Sequence, residues 1–280
     1  MLKTHQERWG IPQWVAYLKG TDIPVMARSR DAILMLAETQ AETLSPGQLA
    51  DIVIDDPFLT LHLLRLAEKR RSRALGHDTT TALAAVMQVG LREVIDSVKE
   101  HPTCDDNLPG LVDCEARSAL AGKIARAWGS YRADTSPEEL SMAALLSEVG
   151  ELMLWAFVPE LPQRALDELH SGRARRTQQA QQQATGFSFK LLSLALAEAW
   201  ELPPLLMQLI RGADNHRANI ARIAVDTARH LIADDENPAL PDDILAVHEH
   251  LPGVTYAQLL APLPISDDYR EAVSSYLTGC

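Results

Sequence analysis

Apolar residues recur along this chain at the three- and four-residue intervals of a helix, and almost nowhere at the two-residue interval of a strand. Leu59, Leu63 and Leu66 form one stripe, Leu145, Val149 and Leu152 a second, Phe187, Leu191 and Leu194 a third, and Ile220, Ile223, Thr227 and Leu231 a fourth. The punctuation agrees with the spacing. Ser45-Pro46-Gly47-Gln48 and Ser136-Pro137-Glu138-Glu139 each place a serine at an N-cap, a proline at the first helical position, and a Gln or Glu whose side chain can reach back to the cap. Asp56-Pro57 opens a helix the same way with an aspartate cap. Each start predicts a helix of about 10 to 18 residues. Asp51 to Asp55 has the β-branched content of a strand, yet it continues the helix opened at Ser45 and no hairpin partner lies nearby. The whole chain reads as all-α.

Two stretches interrupt the pattern. His101 to Gly110 holds two prolines, a glycine and Asp105-Asp106-Asn107, which predicts a linker over 101–112. Asp234 to Asp243 precedes a C-terminal extension whose last helix is expected from Ser266, with Asp267 and Asp268 in the first turn where negative charge is favoured. The organisation expected is therefore an N-terminal extension (1–20), a helical bundle (21–100), the linker, a second bundle (113–235) and a C-terminal helical extension (236–280). No repeat of solenoid period is present.

Composition narrows the function classes. With 280 residues, 46% hydrophobic and 23% charged, the chain can bury a substantial core and is not disordered. A formal charge of -12 repels phosphate backbones, so no nucleic-acid partner is expected. Lys69-Arg70-Arg71-Ser72-Arg73 and Arg173-Ala174-Arg175-Arg176 are local exceptions, read as solvated cations, the first of them at a helix C-terminus. Cys104, Cys114 and Cys280 form no CxxC pair, and their odd number fits a reducing compartment. The polar first ten residues lack a signal-peptide core, and the longest apolar run, Leu152 to Val158, stops at Pro159. A cytoplasmic protein without a membrane partner is expected.

Familiar catalytic constellations are lacking. His248 and His250 are two apart, so on a helix they point to different faces; these and His77-Asp78 read as surface residues. Cys104 sits beside acids that disfavour a thiolate, Cys280 is terminal, and Cys114 reads as a small apolar filler. There is no HExxH, no phosphate loop and no GxSxG. Trp128, Trp155 and Trp200 lie in or at the ends of apolar helices and read as core.

Several stretches taken together resemble one family. Ile23-Pro24-Val25, then Leu49 through Asp56-Pro57-Phe58-Leu59-Thr60, then Leu63-Leu64-Arg65-Leu66-Ala67, then Val86-Met87-Gln88-Val89-Gly90 are similar to the N-terminal half of the HDOD domain, an HD-related output domain of bacterial signalling proteins. Gly186-Phe187 through Trp200-Glu201-Leu202-Pro203-Pro204 is similar to its C-terminal half. The resemblance implies a two-part helical bundle whose C-terminal half is HD-domain-like. HD-type phosphohydrolases carry Leu-Leu-His-Asp-Ile-Gly-Lys where this chain has Leu145-Leu146-Ser147-Glu148-Val149-Gly150-Glu151. Ser147 and Glu148 thus stand at the places of the metal-holding His-Asp pair.

Other departures follow the same direction. Glu68-Lys69 replaces Asn-Ser, no His lies in Leu111 to Arg117, Phe189 aligns with a family His, and Ala213-Asp214 stands where His-His is usual. Asp226 alone sits where the last metal-binding Asp of an HD enzyme would lie, with Asp113 a further candidate. A serine and isolated carboxylates are a poor donor set for a catalytic metal. The expectation is a degenerate site at Ser147, Glu148, Phe189, Asp214 and Asp226, with no metal or other cofactor and no enzymatic activity. A cavity between the helices bearing Ser147, Phe189 and Asp214, partly filled by Phe189, is also expected. The function implied is a non-catalytic signalling module with a protein partner. The alternative is a cryptic metal-dependent phosphohydrolase acting on a nucleotide or cyclic dinucleotide.

Overall fold

The computed structural model describes residues 2–70, 78–105, 107–212 and 214–279. Its helices in chain order are α1 (Ile11–Lys19), α2 (Ala27–Thr39), α3 (Pro46–Val53), α4 (Pro57–Arg70), α5 (Ala82–Val89), α6 (Leu91–Glu100), α7 (Pro109–Gly129), α8 (Pro137–Leu146) and α9 (Val149–Phe157). They continue with α10 (Glu160–His170), α11 (Thr177–Thr185), α12 (Phe189–Ala199), α13 (Pro204–Arg211), α14 (His216–Ala233), α15 (Leu240–His248), α16 (Tyr256–Leu260) and α17 (Asp267–Gly279). The fold is all-α, and among the described residues extended pairing is confined to a parallel bridge between Val25 and Thr103.

The predicted caps work as helix starts. Ser45 accepts from the Gln48 amide while the Gln48 side chain accepts from the Ser45 amide, the reciprocal box that the sequence signals. The helix it opens spans 8 residues, shorter than expected, because Asp56 starts α4 almost immediately. Asp56 is fully buried: Oδ1 accepts from the amides of Phe58 and Leu59 at 3.0 and 2.9 Å, and Oδ2 from Met26 at 2.9 Å. It therefore caps α4 and also fixes the chain entering α2. Burial pushes its pKa up, against the pull of these amides and of Ser29. Ser266 caps α17 as expected, accepting from the Tyr269 amide at 3.2 Å.

Two compact units divide the chain, and they are interleaved in sequence: Met1–Glu115 with Ser147–Pro203, and Ala116–Leu146 with Pro204–Cys280. In the first unit α4 and α3 pack on α5, α2 on α6, α1 and α9 on α12, and α10 on α9 and α11. Its core includes Trp14, Leu18, Ile23, Phe58, Leu59, Leu63, Leu152 and Leu196. In the second unit α14 packs against α8, α13 and α15, and α16 against α17. Ile124, Trp128, Met142, Ile220, Ala224, Ile244 and Leu260 are buried there.

The segment expected as a linker, 101–112, is built into the first unit. The Val25 amide donates to the Pro102 carbonyl and the Cys104 amide to that of Val25, each at 2.9 Å. Helix α7 then begins at Pro109. Gly110 lies so near Trp155 that a Cβ there would fall 2.2 Å from the indole ring. The boundary between the units falls inside α7, after Glu115. Two prolines and a glycine disrupt periodicity here without creating a free connector. Among the described residues no single helix is long and apolar enough to cross a membrane.

Candidate functional site

The stripe Leu145, Val149, Leu152 is interrupted in the structure: α8 ends at Leu146, Ser147 and Glu148 form a turn, and α9 begins at Val149. The apolar spacing carries across the break because both flanking turns are buried. The Glu148 carbonyl accepts from the amides of Glu151 and Leu152 at 2.9 and 3.0 Å, closing the first turn of α9.

Immediately afterwards α9 meets α12 at unusually short range. The Gly150 amide donates to Ser193 Oγ at 2.9 Å, and that hydroxyl donates to the Phe189 carbonyl at 3.0 Å. A Cβ on Gly150 would lie 2.6 Å from the Ser193 nitrogen and 2.9 Å from the Phe189 carbonyl oxygen, so only glycine permits this approach. Phe189 itself is buried, and its amide donates to the buried Gln181 side chain at 2.9 Å. Ser147, Glu148 and Phe189 are thus held in the first unit, around a contact of two helix backbones.

Asp214 and Asp226 belong to the second unit, and they are not brought together there. Asp214 is exposed, ahead of the Asn215 cap of α14. Asp226 lies ten residues beyond His216, about 15 Å farther along that helix at the usual rise. Its Oδ2 is 3.2 Å from Arg222 and its Oδ1 3.1 Å from Arg229, so both oxygens are engaged by guanidinium groups. Asp113 is exposed on α7, whereas Glu115 is buried, 4.0 Å from Arg28. Among the described residues no group of three or more His, Cys, Asp or Glu side chains is placed to hold a metal ion. With both oxygens of Asp226 engaged by arginines and no imidazole at Ser147 or Phe189, these residues are a poor donor set for a metal centre of the HD type.

The other expectations fall out unevenly. Cys114 is buried as a small apolar group, and Cys104 is buried too. Trp128, Trp155 and Trp200 are core residues; the Trp128 indole donates to the Leu259 carbonyl at 2.9 Å. Lys69 and Arg70 occupy the last turn of α4, and Arg70 pairs with Glu93 at 2.8 Å. Arg71, Ser72, Arg73, His77, Asp106, Ala213 and Cys280 lie outside the described residues. An open groove of about 470 Å³ lies between α2 and α6, lined by Ala37, Ala41, Leu44, Leu91 and Ile95 with Arg92, Asp96 and Lys99, on helices other than those that carry Ser147 or Phe189.

Several polar arrangements were invisible in sequence. His248 and His250 do diverge, yet neither stands alone: His248 packs on Tyr256, and His250 Nδ1 lies 3.2 Å from His216 Nδ1. Burial, then the His216 charge, lowers the His250 pKa. In the first unit His62 rests on His101 with ring centroids 4.1 Å apart. Burial, followed by repulsion from His101, Arg65 and Lys69, brings the His62 pKa down to about 4. The positional signal for Glu115 was available: Leu111, Cys114, Glu115 and Ser118 share one buried helix face.

The family described as HDOD domain matches residues 23–216. No curated protein matches the sequence. The fold is similar to that of the MmoQ response regulator from Methylococcus capsulatus str. Bath, with a TM-score of 0.64, 19% identity, and coverage of 91% of this chain and 98% of that one. It is also similar to a virulence factor (cj0248) from Campylobacter jejuni subsp. jejuni, with a TM-score of 0.70, 16% identity, and coverage of 93% and 98%. At such identities the likeness concerns the fold.

Proposed function

This chain belongs to the HDOD domain family, and on that premise we propose that it is a non-catalytic regulatory module that acts by binding another protein. The observation that supports this most is the donor set: Ser147 and Phe189 stand where the family resemblance places His, and among the described residues no three His, Cys, Asp or Glu side chains are placed to hold a metal ion. Where an HD enzyme needs imidazole and carboxylate donors around an ion and its water, this chain offers a serine and a buried phenylalanine. The engagement of Asp226 by Arg222 and Arg229 points the same way. MmoQ bears the name response regulator, which is the direction this reading takes for the present chain.

Metal analysis of the protein purified from manganese- and iron-supplemented cells, combined with hydrolysis assays on nucleotides and cyclic dinucleotides, tests the reading. The expected outcome is metal far below stoichiometric and no turnover. Stoichiometric metal with a turnover abolished by Glu148→Gln would instead establish the phosphohydrolase alternative. A partner recovered from the native host and shown to bind as a purified pair would complete the case.

A further inference from the structure

Two imidazoles from different helices meet at the surface of the second unit. His216 is the first residue of α14, whose Asn215 cap accepts from the Ala218 amide at 2.9 Å. His250 lies just beyond α15; its amide donates to the Val247 carbonyl and its carbonyl accepts from Arg132 Nη1, each at 2.9 Å. Both backbones are therefore fixed. The rings stand at 66° with centroids 5.3 Å apart, while their Nδ1 atoms are only 3.2 Å apart. Nitrogen edges, not ring faces, are thus turned toward each other. His216 is exposed and His250 half-buried.

One proton between two such nitrogens makes a hydrogen bond, and a metal ion can take that proton's place. Two nitrogens bound to one ion at the usual 2.0–2.1 Å lie about 3.4 Å apart around a tetrahedral centre, and about 2.9 Å apart as neighbours on a square or octahedral one. The observed spacing falls between these values. We propose that His216 and His250 form a chelating site for a borderline divalent cation (zinc, nickel or copper), held through both Nδ1 atoms with solvent completing its coordination. Each ring then keeps its proton on Nε2. The neutral imidazole this requires is favoured at His250, whose pKa burial and then His216 lower. Arg132 and Arg222 oppose a cation, yet Asp134 pairs with the first at 2.7 Å and Asp226 with the second at 3.2 Å, while Glu249 favours it. The site involves neither Ser147 nor Phe189 and has two protein donors, so it is a chelate and not a catalytic centre of the HD type. About half the donors of a structural zinc site give about half its binding free energy, hence a dissociation constant on the order of 10 µM. Such a site empties on desalting, so metal far below stoichiometric in the purified protein is still expected.

The test is a calorimetric titration of the full chain with zinc chloride in a non-coordinating buffer at pH 7.5. Saturable binding of one ion is expected. His216→Ala and His250→Ala should each weaken it by about tenfold or more, because either leaves a single imidazole. His248→Ala, two positions from His250 but packed on Tyr256, should leave affinity unchanged. At pH 5.5 protons compete for both nitrogens, so wild-type affinity should fall by about tenfold or more. Nitrogen-15 spectra should show the Nδ1 signals of His216 and His250 moving together as zinc is added. Cooperative thermal unfolding verifies each variant, and if His250→Ala does not fold, His216→Ala at its exposed position decides. The proposal is overturned if wild type shows no saturable binding, if His216→Ala binds as tightly as wild type, if His248→Ala loses as much, or if affinity is the same at both pH values.

Discussion

The five positions that the family resemblance aligns with a metal centre are treated differently in the two units. In the first, Ser147 and Glu148 form the turn into α9, and Gly150 presses that helix onto the backbone of α12 beside the buried Phe189. In the second, Asp214 is exposed, and Asp226 is tied to two arginines on its own helix. Backbone contact makes the first arrangement dependent on shape, because neither a carbonyl nor an amide can move aside. Surface charge makes the second dependent on solvent and salt, where a lost pair costs little. Similar positions in an alignment thus carry very different energetic weight.

The comparison is broken most directly by Gly150→Ala. Alanine normally favours a helix interior by about 1 kcal/mol over glycine. Here the new methyl meets backbone atoms at 2.6 and 2.9 Å, so a net loss of about 3 kcal/mol is expected from urea denaturation. Stability equal to wild type would mean that the two helices are not in backbone contact.

Acid titration separates the units next. The folded pKa of His62 is about 4, below its ordinary 6.5, so the unfolded chain binds more protons across that interval. Its contribution is complete above pH 6.5 and is lost as pH falls toward 4, by roughly 2 kcal/mol after allowance for its remaining solvent contact. His62→Gln should flatten this slope. His250 is shifted in the same direction but is more open, so amide exchange in α14 and α15 should respond less than in α4 over the same window.

The smallest effect sharpens the contrast. Asp226→Ala should change stability by less than about 1 kcal/mol, an effect that shrinks further with added salt. Its metal content should match that of wild type. A loss as large as that of Gly150→Ala would show that Asp226 is structurally central, and the comparison would fail.

Much of the fold was legible because it depends on neighbours in sequence. The serine caps at 45, 136 and 266 and the aspartate at 56 declare where helices start, since the groups they satisfy lie within three residues. The site was legible only as residue identities. Nothing in Gly150 announces that Ser193, 43 positions later, will hydrogen-bond to it, and nothing in Asp226 distinguishes a ligand from a partner of Arg222 and Arg229. His216 and His250, 34 positions apart, met unforeseen for the same reason.

By itself, the sequence determined the helical class, the helix starts, the absence of the His-Asp pair at Ser147 and Glu148, and the family. All of these are fixed by residue type and by short-range spacing, which backbone hydrogen bonding turns into structure over a few residues. Tertiary structure alone decided that the compact units interleave, that the segment after His101 pairs with Val25, that α9 touches α12 through glycine, and that Arg65 lies over Trp200. Such contacts join residues far apart in the chain. They are selected by how side-chain volumes and charges fit once the helices are packed, a condition that no local pattern encodes.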